Sequence, residues 1–80
     1  MIFEYNTQGT CSRKITIEVS DGIVRNVSFL GGCHGNTQGI SALTKGMKIT
    51  DVIDRCKGIR CGNKGTSCPD QLACALESVL

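Results

Sequence analysis

The stretch Lys14-Ile15-Thr16-Ile17-Glu18-Val19-Ser20-Asp21-Gly22-Ile23-Val24-Arg25-Asn26-Val27-Ser28-Phe29-Leu30 decides how this chain folds. Ile15, Ile17 and Val19 alternate with Lys14, Thr16 and Glu18, which is the two-residue period of a strand with one buried face. Ser20, Asp21 and Gly22 give a turn signal, and Ile23 to Leu30 reads as the returning strand, with Ile23, Val27 and Phe29 on one face. Arg25 interrupts that face, while Val24 and Leu30 lend the other some apolar character. Both faces of this β-hairpin are therefore expected to be partly covered.

On the N-terminal side, Ile2 to Tyr5 forms a short candidate strand, and Asn6 to Ser12 reads as a loop carrying Gly9 and Cys11. On the C-terminal side Gly31 and Gly32 end the hairpin, and Cys33, His34, Gly35 and Asn36 precede a helical pattern of Ile40, Leu43 and Met47. Asn36 or Thr37 is the expected cap of that helix. Gly39 lies inside it at a cost of about 1 kcal/mol relative to alanine, which suggests that a backbone or ligand approaches there. Thr50 is expected to cap a second, short helix that buries Val52, Ile53 and Cys56 and stops at Gly58. Pro69 then suits the first turn of a final helix, whose apolar residues Leu72, Leu76, Val79 and Leu80 share a face. Cys68 thus falls at a helix N-terminus, where unpaired N–H groups and the positive end of the helix dipole favour a thiolate. The expected fold is a small two-layer α+β domain spanning residues 1–80. An antiparallel β-hairpin or three-stranded meander is followed by three helices packed on one sheet face.

Eighteen Ile, Leu and Val residues in a chain of 80 provide one modest core. A core of that size leaves folding close to balance, so a structural metal, a disulfide or a second subunit would add useful stability. The net charge of +2 is spread over interspersed acids and bases, and the chain has two Phe, one Tyr and no Trp. There is no basic stripe and no stacking platform for nucleic acid. Met1-Ile2-Phe3-Glu4-Tyr5-Asn6 lacks the cationic start and apolar run of an export signal, and no segment is long enough to cross a membrane. A cytoplasmic location is expected. In that compartment six cysteines point to metal binding or redox chemistry rather than to a disulfide scaffold.

The cysteines differ in their placement. Cys11 precedes a strand, Cys33 follows the next, Cys61 lies in a glycine-containing loop and Cys68 opens a helix, so all four occupy the ends of elements. In an antiparallel hairpin the start of one strand lies beside the end of its partner, which brings Cys11 and Cys33 to the same sheet edge. If the loop from Cys61 to Cys68 folds over that edge, four sulfurs converge in the tetrahedral arrangement that zinc prefers. None of these pairs has C-x-x-C spacing, so redox or disulfide chemistry and four inert thiols stay open beside metal binding. His34 is a candidate accessory ligand, or a base beside Cys33, against the plainer reading of a solvated loop histidine. Cys56 reads as a small core residue and Cys74 as a tolerated helical residue displaced from the apolar stripe. Arg60 and Lys64 read as solvated loop charges, and Asp70 as a carboxylate suited to the first helical turn. The glycines at 31, 32 and 35 match no phosphate-binding pattern.

Lys57-Gly58-Ile59-Arg60-Cys61, followed by Thr66-Ser67-Cys68-Pro69-Asp70, resembles the TSCPD domain, whose name spells the second motif. The resemblance runs from about Thr10 to Leu80. It is to the small stand-alone four-cysteine proteins of that group, which are related to the C-terminal domain of adenosylcobalamin-dependent ribonucleotide reductases. It implies Cys11, Cys33, Cys61 and Cys68 as the family's four and leaves Cys56 and Cys74 outside the set. It also implies a role beside a ribonucleotide reductase or another partner protein, and allows a homo-oligomer. Reductase chemistry belongs to a large barrel with a radical cysteine and cobalamin, which this chain cannot contain, so no catalytic residue is assigned. More remotely the order of elements resembles U-type iron–sulfur scaffold proteins, which makes an iron–sulfur cluster the alternative to zinc. The early Asp usual in those scaffolds is absent, since Cys11-Ser12-Arg13 stands there.

Overall fold

The computed structural model describes residues 1–10, 12–32, 34–62 and 65–79, with the backbone only of His34. Strands β1 (Ile2–Asn6), β2 (Ser12–Ser20) and β3 (Ile23–Gly31) form an antiparallel sheet in the order β1-β2-β3, so the meander is realised. Helices α1 (His34–Thr44), α2 (Ile49–Cys56) and α3 (Cys68–Glu77) follow, completing the expected α+β arrangement. At the hairpin tip Ser20 faces Ile23, and Asp21 and Gly22 bridge them with φ of 55° and 75°. Two successive left-handed residues give a two-residue loop whose twist matches the flanking strands, and Asp-Gly is one of the pairs that adopt it readily.

Two irregularities in the β2–β3 ladder alter the expected faces. Glu18 pairs with Asn26 but Val19 pairs with Val24, which leaves Arg25 as an extra residue on β3. Such a bulge breaks the strict alternation. Val24 is therefore fully buried on the same side as Val27, although a regular strand would place the two on opposite faces. A second bulge at Arg13, between the pairs Ser12–Gly31 and Lys14–Leu30, puts Ser12 on the inner face with Ile15. Across the sheet Phe3, Ile17 and Val27 stand in one row, and Tyr5, Ile15 and Phe29 in the next. Leu30 on the outer face is exposed.

The inner face of β2 and β3 packs against α2 and α3. Ile15, Ile17, Val19, Val24, Val27, Ile49, Val52, Ile53, Leu72, Ala75 and Leu76 form one buried cluster. Leu72 and Leu76 confirm the stripe expected for α3, whereas Leu80 lies outside the described residues. Helix α1 departs from the sequence reading. It starts at His34, so Asn36 and Thr37 lie within it rather than cap it, and it ends before Met47. Its inner face is Thr37, Ile40 and Thr44, while Leu43 is 78% exposed. Burial of Thr44 is tolerated because its hydroxyl donates to the Ile40 carbonyl at 2.8 Å.

Beyond α1 the chain turns back to pair with the start of β3: the Gly46 N–H donates to the Val24 carbonyl, and the Val24 N–H to the Met47 carbonyl. That pairing draws Met47 out of the helix and starts α2 at Ile49, with Lys48 rather than Thr50 in the capping position. Gly58 follows the end of α2, as expected. Among the described residues, no helix is long and apolar enough to cross a membrane.

A Cβ added at Gly39 would meet no atom within 4 Å, so the close approach inferred there is not found. Gly39→Ala is accordingly expected to stabilise the fold by about 0.5–1 kcal/mol through helix propensity alone. Leu72→Ala, at a fully buried site, is expected to destabilise it by about 2–5 kcal/mol. Urea denaturation of both variants at one pH checks the two signs together.

Candidate functional site

The N-terminus of α3 is built by the motif Thr66-Ser67-Cys68-Pro69-Asp70. Ser67 is the N-cap; its hydroxyl oxygen accepts the Asp70 N–H at 3.2 Å and its proton goes to the Ile59 carbonyl at 2.7 Å. Pro69 occupies the first turn, where its missing N–H leaves nothing unsatisfied. Asp70 does more than complement the helix dipole. Its carboxylate accepts the Thr66 hydroxyl and, at 2.7 Å, the Gly58 N–H, which pins the segment after α2 to the start of α3. These two donors hold the Asp70 carboxyl below its ordinary pKa, the Thr66 hydroxyl being the larger cause. The buried Gln71 extends the network: its amide donates to Thr66 Oγ1 at 3.0 Å and its carbonyl accepts the Gln8 N–H at 3.1 Å.

This network presses α3 against the far end of the hairpin. Ser12, 3% exposed, places its Oγ 3.2 Å from the Cys68 Sγ. The same Oγ lies 3.1 Å from Thr10 Oγ1, and the hydroxyls of Thr7 and Thr10 both donate to the Ser12 carbonyl. Gly32 lies directly on Ser12. A Cβ there would fall 3.3 Å from the Ser12 backbone nitrogen, and φ is 85°, so both space and backbone conformation call for glycine. On the loop side the Cys61 N–H donates to the Thr66 carbonyl at 3.1 Å, closing the segment between the two motif cysteines. Thr66 also packs over Gly9.

Of the candidate ligands, Cys68 is half-buried against Ser12, and Cys61 is exposed. Cys11, Cys33 and the side chain of His34 lie outside the described residues, as does Lys64. Among the described residues no three metal-binding side chains gather at one point. The structure does bring together the described chain neighbours of the other two thiols: Ser12, next to Cys11, pairs with Gly31 and touches Gly32, which is next to Cys33.

Cys56 packs at the margin of the core, and burial raises its pKa. Cys74 is half-buried; desolvation raises its pKa first, with the Asp70 and Glu77 carboxylates adding to the effect. Both environments disfavour a reactive thiolate. Arg60 is exposed, as expected of a loop charge. Sequence reasoning missed Ser12, Thr66 and Gln71. Of these only Thr66 had a local signal, as the first letter of the motif.

Comparison with family models finds a match to the TSCPD domain over residues 3–80. The chain belongs to the TSCPD domain family. No curated protein and no solved structure matched it. Within this TSCPD domain the motif's structural content is now explicit: Thr66 orients Asp70 and Gln71, Ser67 caps the helix, and Asp70 ties down the preceding loop.

Because the folded pKa of Asp70 is depressed, its stabilising contribution is fully present above the ordinary carboxyl pKa of about 3.9 and is lost as pH falls through the lower folded value. Asp70→Asn should lower stability at pH 7 and flatten the acid limb of the stability profile. Urea midpoints for both proteins from neutral pH downwards test this: the difference between them should shrink at the acid end.

Proposed function

We propose that this TSCPD domain is a cytoplasmic metal-binding module that holds one zinc ion through Cys11, Cys33, Cys61 and Cys68. One observation carries the reading. Cys68 rests on Ser12, which follows Cys11, while Gly32, which precedes Cys33, rests on the same Ser12. Cys68 and the described neighbours of two of the other three thiols thus share one spot at the end of the hairpin. The fourth, Cys61, belongs to a loop whose backbone is closed onto Thr66, two residues before Cys68. An all-cysteine donor set suits zinc, and a site without an open position serves structure rather than catalysis. His34 opens α1 immediately after Cys33 and is the accessory candidate, either replacing a thiolate or hydrogen-bonding to one.

The metal would join the hairpin end, the loop after α2 and the start of α3, three places that the small apolar core does not itself unite. In such a domain metal binding contributes directly to folding free energy. The role that fits is structural or that of an accessory interaction module, with a ribonucleotide reductase or another protein as the partner. The competing reading, a reversible Cys61–Cys68 disulfide, is favoured by the closed loop that both share. An iron–sulfur cluster is the third occupant of the same four thiols.

Elemental analysis of protein purified anaerobically without chelator should return about one zinc per chain, no visible absorption band, and a thermal midpoint that falls on chelation. Cys11→Ser, Cys33→Ser, Cys61→Ser and Cys68→Ser should each lose metal, and Cys56→Ser and Cys74→Ser should retain it. Absence of stoichiometric metal together with an unmoved melt would overturn the proposal. A Cys61–Cys68 pair that exchanges in redox-buffered thiol titration would then favour the disulfide, and a brown colour with iron would favour the cluster.

A further inference from the structure

The Ser12 hydroxyl, which lies against the Cys68 sulfur, has a geometry that the four-thiol reading alone does not use. Ser12 is brought to the inner face by the extra residue at Arg13; regular alternation from Ile15 would have turned it to the outer face. Its Oγ is 3.2 Å from the Cys68 Sγ, and Gly32, without a side chain, lies over its backbone and Cβ. Its carbonyl is occupied by Thr7 and Thr10, so the residue is fixed from both backbone and side chain. A bulge, a glycine and two threonines thus hold one hydroxyl in place.

We propose that Ser12 is a positioning residue for Cys68, donating its hydroxyl proton to the thiolate sulfur when that sulfur binds metal. The direction of the bond follows from chemistry. A thiol and a hydroxyl can each donate to the other, but a thiolate has no proton, so in the metal-bound state the hydroxyl must donate. In that state the single Thr10 hydroxyl proton turns from the Ser12 carbonyl, which Thr7 still holds, to the Ser12 Oγ 3.1 Å away, and a chain of hydroxyls ending on an anion is mutually strengthening. The hydrogen bond fixes the Sγ direction and withdraws negative charge from the sulfur. The fixed direction slows exchange of the metal, and the withdrawn charge makes the sulfur a weaker electron donor. This inference rests on the four-thiol reading above.

Cobalt(II) in place of zinc gives the test, since the energy of its thiolate-to-metal charge-transfer band reports the electron richness of the sulfurs. Ser12→Ala removes only the hydroxyl. It should release zinc to a chromophoric chelator about tenfold faster and shift the cobalt band to longer wavelength, while Ser12→Thr, which keeps the donor, should restore both. Wild-type protein that binds cobalt, with a Ser12→Ala variant identical in release rate and band position, would overturn the role of Ser12 and leave the metal site standing. Wild-type protein that binds neither zinc nor cobalt would remove the metal site, and this role with it. A Ser12→Ala variant that exchanges metal faster with an unmoved band, and is not rescued by Ser12→Thr, would assign Ser12 a packing role and also overturn the proposal.

Discussion

The structure depends on β2 being paired on both sides while showing one face to the helices. Its residues meet β1 and β3 in register, and Ile15 and Ile17 are the two β2 residues with no solvent exposure. A central strand with a single apolar face fixes register strongly, because a slip by one residue would turn Ile15, Ile17 and Val19 out to solvent. Everything at the end that carries the candidate site inherits that constraint. Once Ile15 is seated, the extra residue at Arg13 decides that Ser12 faces inward, and Ser12 decides where α3 begins to pack.

Two kinds of force therefore act on the two ends of the molecule. At the hairpin tip the helices are held by apolar burial, with Val24, Ile49 and Val52 among the buried residues and the Gly46–Met47 segment pairing with β3. At the opposite end, the segment from Lys57 to Ser67 has no fully buried apolar side chain among its described residues. Ser67, Asp70, Thr66 and Gln71 hold it through hydrogen bonds. Each such bond contributes only about 0.5–1.5 kcal/mol net, but an unpartnered buried donor or acceptor costs more, so the network specifies geometry more than it adds stability.

The hairpin and α3 were legible because each has a strong local signal: strict alternation in Lys14 to Val19 with an Asp-Gly turn, and Pro69 followed by the stripe of Leu72 and Leu76; the short run Ile2 to Tyr5 left a hairpin and a three-stranded meander both open. The faces of β3 and the ends of α1 were not. Val24 and Val27 share a face only because Arg25 is an additional residue, and a bulge is a property of the pair of strands rather than of either sequence. Met47 follows Ile40 and Leu43 at helical spacing, yet its carbonyl is claimed by the Val24 N–H, a contact spanning more than twenty residues. Leu43 completes the apparent stripe but is exposed, because burial of Thr37 and Thr44 turns the helix the other way. For the candidate site, the placement of Cys61 and Cys68 on a loop and a helix start could be read directly. Ser12 could not, since nothing in Cys11-Ser12-Arg13 signals that a hydroxyl will meet a residue fifty-six positions away.

The polar network bears on how a metal would be held. Preorganisation counts most where ligands sit on rigid elements, and loosely supported ligands exchange first. The cysteines whose surroundings are described differ in this respect. Cys68 is fixed by the first turn of α3, by the Ser67 cap and by Ser12, whereas Cys61 is exposed and is tethered through its backbone bond to Thr66. Asp70 and Gln71 act on both through Thr66, whose carbonyl holds Cys61 and whose hydroxyl joins the helix start. Thr66 is thus the joint between the two halves of the loop. That gives the first residue of the family motif a physical reason: a threonine there offers a carbonyl to one cysteine's backbone, a hydroxyl to the helix that carries the other, and a methyl group to Gly9.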